Sequence, residues 1–75
     1  MTSNEQKLRK EIGMFLYTQR KKRNLTQVEV SKVLKCSQGS LSKLESGESP
    51  ISAFQWFRFA KLTKTPVQAL ASIFE

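Results

Sequence analysis

Gln38, Ser42 and Lys43 belong to a run, Gln38-Gly39-Ser40-Leu41-Ser42-Lys43-Leu44, that carries an amide, hydroxyls and an ammonium but no acid. These groups suit the edges of nucleobases. A glutamine amide can pair bidentately with adenine, a lysine reaches guanine O6 and N7, and a serine hydroxyl serves as donor or acceptor. Proton and group transfer are poorly served. The chain has no His, and its acids, Glu5, Glu11, Glu29, Glu45, Glu48 and Glu75, are scattered without evident pairing. No cluster has metal-ligand spacing, and without His to activate a hydroxyl only a Ser–Lys pair remains as a nucleophile. Neither enzyme activity, a metal nor a cofactor is expected.

The balance of charge points the same way. Thirteen Lys and Arg oppose six acidic residues, a net charge of +7 on 75 residues. Such a chain attracts polyanions, and each phosphate it neutralises releases counterions. Charge alone does not distinguish DNA, RNA and anionic membrane. No stretch approaches 18 apolar residues, so no bilayer span is expected, and residues 1–11 lack the apolar core of a signal peptide. The lone Cys36 has no internal disulfide partner, which fits a reducing, cytoplasmic setting.

To present that run, the chain needs a scaffold, and the punctuation predicts an all-α fold: a single domain over residues 1–75, a compact bundle of five helices. The first runs from about residue 5 to 23, with Leu8, Ile12, Phe15, Leu16 and Gln19 at helical period. Gly13 is read as tolerated there, at about 1 kcal/mol relative to Ala, and Asn24 as a left-handed stop. Thr26-Gln27-Val28-Glu29 is a capping box opening a short second helix with Val30, Val33 and Leu34 inward. Ser37 caps the third helix, with Leu41 and Leu44 inward and Gly47 ending it. Ser52 caps a fourth, with Trp56, Phe57, Ala60 and Thr63 inward and Phe54 and Phe59 left outside. Thr65-Pro66 marks a fifth start, continued by Val67, Leu70, Ala71 and Phe74.

The tight turn at Lys35-Cys36-Ser37 between two short helices is the decisive local feature. The B-DNA major groove is about 12 Å wide and accepts one α-helix. A helix entering it must project from a body that braces it across the backbone, with small polar groups near its start. Leu25, Val30, Val33, Leu41 and Leu44 can lock the pair, leaving Gln38, Gly39, Ser40, Ser42 and Lys43 outward.

Residues 25–34, LTQVEVSKVL, followed by 37–47, SQGSLSKLESG, resemble the lambda-repressor-like helix-turn-helix family, which includes Cro, the phage repressors and the xenobiotic-response-element regulators. The likeness covers about residues 8–74. It implies a double-stranded DNA-binding transcriptional regulator, a repressor binding a palindromic operator as a homodimer, bacterial or phage-encoded. By position it implies phosphate contacts from Gln27, Ser37 and Ser46. Base contacts fall to Gln38, Ser42 and Lys43, with Gly39 and Ser40 lining the same surface. It also implies a structural ion pair between Arg20 and Glu45. Two positions depart from the family pattern. Lys35 stands where glycine is frequent, so left-handed strain of about 1 kcal/mol is expected. Gly39 stands where relatives place a base-reading side chain.

Each reading has a plainer rival. Lys21, Lys22 and Arg23 are either a solvated helix end or phosphate ligands; their place just before Thr26-Gln27 favours phosphate. Lys43 is read as a base or phosphate ligand over a solvated lysine, Gln38 serves adenine or phosphate, and Ser42 acts through water or not at all. Cys36 is read as packing over redox chemistry. Phe54 and Phe59, with Leu70, Ile73 and Phe74, are the candidate dimer surface, against partial coverage or single-strand base stacking. Exposed aromatics with no effector domain also fit an antitoxin-like module that holds a protein partner.

Overall fold

The computed structural model describes residues 3–69. Within them the regular structure is α1 (Ser3–Lys22), α2 (Gln27–Leu34), α3 (Gln38–Ser46) and α4 (Ala53–Thr63), with no strand. The predicted fifth helix is not a counted element. Its first turn is present at Pro66, whose carbonyl accepts from the Ala69 amide at 2.9 Å. Its expected residues Leu70, Ala71 and Phe74 lie outside the described residues. No helix among those described is long and apolar enough to cross a membrane.

Local chemistry explains the boundaries. Thr26 Oγ1 accepts from the Glu29 amide at 3.1 Å while Glu29 Oε1 accepts from the Thr26 amide at 2.8 Å, closing the capping box of α2. Ser37 Oγ accepts from the Ser40 amide at 3.0 Å at the start of α3. Ser52 and Gln55 make a second reciprocal box at α4. All four helices end in one way, on a residue with positive φ: Asn24 (56°), Lys35 (58°), Gly47 (86°) and Lys64 (57°). After each, the next amide reaches back five residues to a helical carbonyl: Leu25 to Arg20, Cys36 to Ser31, Glu48 to Lys43 and Thr65 to Ala60. That bond satisfies a carbonyl the helix end would leave bare. Only Gly47 adopts the conformation without a Cβ penalty.

The core comprises Leu16, Val30, Leu34, Leu41, Leu44, Trp56, Phe59 and Ala60. Trp56 stacks against Phe59 and tilts against Phe15, while its indole N–H donates to the Val67 carbonyl at 3.3 Å. Two helix faces are rotated from the sequence expectation. On α4 the buried stripe is Trp56, Phe59, Ala60 and Thr63; Phe59 is fully buried, whereas Phe57 is 56% exposed. The buried set follows the i, i+3, i+4, i+7 spacing of one helix face, and Phe57 lies about 100° away from Trp56. Phe59 is therefore core and leaves the candidate dimer surface. On α2, Val33 is exposed and Ser31 is buried beside Val30 and Leu34. Gln27 falls on that same inward stripe, one turn ahead.

Gly13 carries a third correction. It is a contact point and not a tolerated flaw: a Cβ there would stand 2.5 Å from the carbonyl oxygens of both Leu44 and Glu45. α1 crosses the back of α3 at backbone-to-backbone distance, which only glycine permits.

Candidate nucleic-acid interface

The outward side of α3 is presented by what lies behind it. Leu41 and Leu44 are buried, so the helix has one possible rotation, and Gln38, Gly39, Ser40, Ser42, Lys43 and Ser46 are all exposed. Ser37 caps the same end and is exposed as well. The one acid within α3, Glu45, turns inward with its side chain 6% exposed.

There it meets Arg20 of α1. Arg20 Nε donates to Glu45 Oε2 at 2.6 Å and Nη2 to Oε1 at 3.2 Å, a two-pronged pair, while Nη1 donates to the Leu25 carbonyl at 3.0 Å. Arg20 is therefore absent from the solvent-facing basic run, which reduces to Lys21, Lys22 and Arg23, all exposed. The guanidinium lies 5.4 Å from the Tyr17 ring centroid, and the Lys21 ammonium 6.0 Å from it.

The pair also organises the two glutamines. Gln27 Nε2 donates to Glu45 Oε1 at 3.0 Å, and Gln38 Nε2 donates to Gln27 Oε1 at 3.3 Å. One chain of polar contacts thus runs from Arg20 through Glu45 and Gln27 to Gln38, linking α1, α3 and α2. A carboxylate held by a guanidinium leaves a fixed acceptor for Gln27, whose own amide oxygen then orients Gln38. Gln38 keeps its amide oxygen and one N–H, the complement of adenine N6 and N7. Lys21, Asn24, Thr26, Gln27 and Gln38 line one polar cleft where α2 begins beside α3. Helix N-termini favour anions, so this cleft suits a phosphate.

The sequence candidates therefore form two groups. Lys21, Gln27 and Gln38 share the cleft, while Ser42, Lys43 and Ser46 lie along the rest of α3. Lys22 and Arg23 are exposed at the end of α1, and Gly39 and Ser40 flank Gln38. Phe54 is 73% exposed on α4. Leu70, Ile73 and Phe74 lie outside the described residues. Two exposed residues lie outside the sequence candidates, Phe57, expected inward, and Glu48. Phe57 is exposed one turn from Phe54, which strict i, i+3, i+4 counting from Trp56 would have placed outward. Glu48 follows α3 and accepts from Ser46 Oγ at 3.0 Å; no sequence spacing signals that contact.

Comparison with family models places a helix-turn-helix model, HTH_3, on residues 16–70. The chain belongs to this lambda-repressor/Cro-like helix-turn-helix family, which makes it a DNA-binding transcription regulator. No curated protein matches it at a significant level.

Proposed function

We propose that the chain is a repressor that binds a palindromic operator as a homodimer, inserting α3 of each copy into successive major grooves about 34 Å apart. The observation that carries this reading is the exposed, acid-free edge Gln38–Lys43, whose first residue is oriented by the Arg20–Glu45–Gln27 network. Gln38 and Lys43 read bases, and Ser42 contributes through water. Ser37, Lys21, Lys22 and Arg23 hold phosphates, joined by the one side-chain N–H of Gln27 that Glu45 does not take. Phe54 and Phe57 lie one turn apart on an exposed face of α4, and they supply the apolar centre of the dimer contact.

Selection of bound duplexes from a random pool tests this directly. The expected product is a two-fold symmetric site with half-sites one helical turn apart. Lys43→Ala and Gln38→Ala each relax preference at single base pairs by about 1–3 kcal/mol, whereas Lys21→Ala weakens all duplexes alike and lowers the salt slope by about 1. A pool that returns no enriched duplex overturns the reading. If Lys43→Ala weakens all sequences equally, Lys43 is a phosphate ligand.

The exposed Phe54–Phe57 pair also supports a second reading, an antitoxin-like module that sequesters a protein. Size-exclusion separates the two. A discrete dimer dispersed by Phe57→Glu fits the repressor, and a retarded monomer brought into a discrete complex by a second protein fits the module.

A further inference from the structure

We propose that Glu48 is a built-in stand-in for a DNA phosphate, holding the Ser46 hydroxyl until the backbone of a bound duplex replaces it, and so tuning affinity for duplexes of every sequence. The inference rests on the DNA-binding reading above.

Ser46 lies one turn beyond Ser42 and Lys43 and is exposed with them on α3. Its single hydroxyl proton has two acceptors within reach, the Lys43 carbonyl at 3.2 Å and Glu48 Oε2 at 3.0 Å. The carboxylate is the stronger acceptor because it is charged. Glu48 is also held in place. Its amide donates to the Lys43 carbonyl at 2.9 Å through the left-handed turn at Gly47. That turn is pressed against α1: a Cβ on Gly47 would stand 2.9 Å from Lys10 Cα. A negative charge is therefore fixed at the edge of a surface that otherwise presents hydroxyls, amides and an ammonium. A phosphate approaching Ser46 meets this carboxylate and must displace it.

The cost is independent of base sequence, because a phosphate carries none. Two unit charges about 4 Å apart in water repel by an amount equivalent to about fivefold in affinity. Neutralising Glu48 is thus expected to tighten binding by about fivefold to any duplex and to steepen the dependence on salt by about one phosphate.

The test uses the full chain with two duplex probes of equal length, the selected operator and a scrambled sequence, titrated at several salt concentrations. Glu48→Gln is compared with Glu11→Gln, an exposed acid on α1 whose neutralisation changes net charge equally. The expected result is about fivefold tighter binding of both probes by Glu48→Gln only, with the steeper salt slope. Ser46→Ala then weakens the Glu48→Gln chain more than the parent, because in the parent the lost phosphate contact is offset by the Ser46–Glu48 bond that no longer has to be broken. Equal effects of the two neutralisations, or equal effects of Ser46→Ala in both backgrounds, overturn the role of Glu48 while leaving the DNA-binding reading intact. Failure of every variant to bind either duplex overturns that reading and the inference with it.

Discussion

Replacing Gly13 with alanine distinguishes a helix judged alone from a helix judged in its packing. On propensity alone, alanine in the middle of α1 stabilises by about 1 kcal/mol. In the fold, the new methyl would lie 2.5 Å from the Leu44 and Glu45 oxygens and 2.8 Å from the Glu45 carbonyl carbon, all backbone atoms. Ordinary contact begins near 3.4 Å, so α1 and α3 must separate by about 0.9 Å, the difference between that limit and the 2.5 Å approach. A gap of this size forfeits a quarter to a half of the dispersion energy between facing atoms. It falls on the contact buried by Leu16, Leu41 and Leu44. Overpacking of this kind costs about 1–3 kcal/mol, and the upper half of that range is expected because no flexible side chain can yield. Set against the propensity gain of about 1 kcal/mol, the net loss of about 1–2 kcal/mol lowers Tm by roughly 4–16 °C in a domain this small. Gly39→Ala is the internal control. It too is helical, but its nearest outside atom is Ser37 Oγ at 3.9 Å, so alanine there is neutral or stabilises by up to about 1 kcal/mol. Urea and thermal unfolding should shift down for Gly13→Ala and stay level or shift up for Gly39→Ala. A Gly13→Ala chain as stable as the parent would refute the close crossing.

Further outcomes follow from the same geometry. Arg20→Ala leaves the Glu45 carboxylate buried and unpaired, and is expected to lose about 3 kcal/mol by urea unfolding, with partial recovery when Glu45→Gln is added; a loss below about 1 kcal/mol would contradict the pairing. Lys35→Gly and Lys64→Gly relieve left-handed strain at two helix ends and should each raise stability by about 0.5–1 kcal/mol, adding in the double variant. Burial pushes the Cys36 thiol above its ordinary value of 9.0, so iodoacetamide should modify the folded chain more slowly than the urea-unfolded chain at pH 8. The sign for stability follows: the unfolded thiol loses its proton first, so this contribution is present below pH 9.0 and fades as pH rises through the folded value.

Much of this protein was legible as text because the signals were local. Thr26 with Glu29, Ser37, Gly47 and Ser52 act over three or four residues, and the helix boundaries they mark need no partner elsewhere. The acid-free edge of α3 was legible for the same reason, since Leu41 and Leu44 alone decide which way it faces. The pairing of Arg20 with Glu45 entered only through family likeness, as the two stand 25 residues apart with no local rule to join them. Phe57 and Phe59 show where local reading fails. Both are aromatic, adjacent faces of α4 compete for them, and the choice belongs to the helices that α4 packs against.

The chain's own letters marked the starts of α2, α3 and α4 and the ends of α1, α2 and α3, and gave α3 a basic, hydroxyl-rich face, because capping and periodicity are properties of a few consecutive residues. Tertiary structure alone decided that Gly13 is a contact point and that Gln27 turns inward onto Glu45 to steer Gln38. Those outcomes depend on distances between backbones in space. Steric exclusion at 2.5 Å and the Gln27–Glu45 hydrogen bond at 3.0 Å arise only once α1, α2 and α3 have closed on one another.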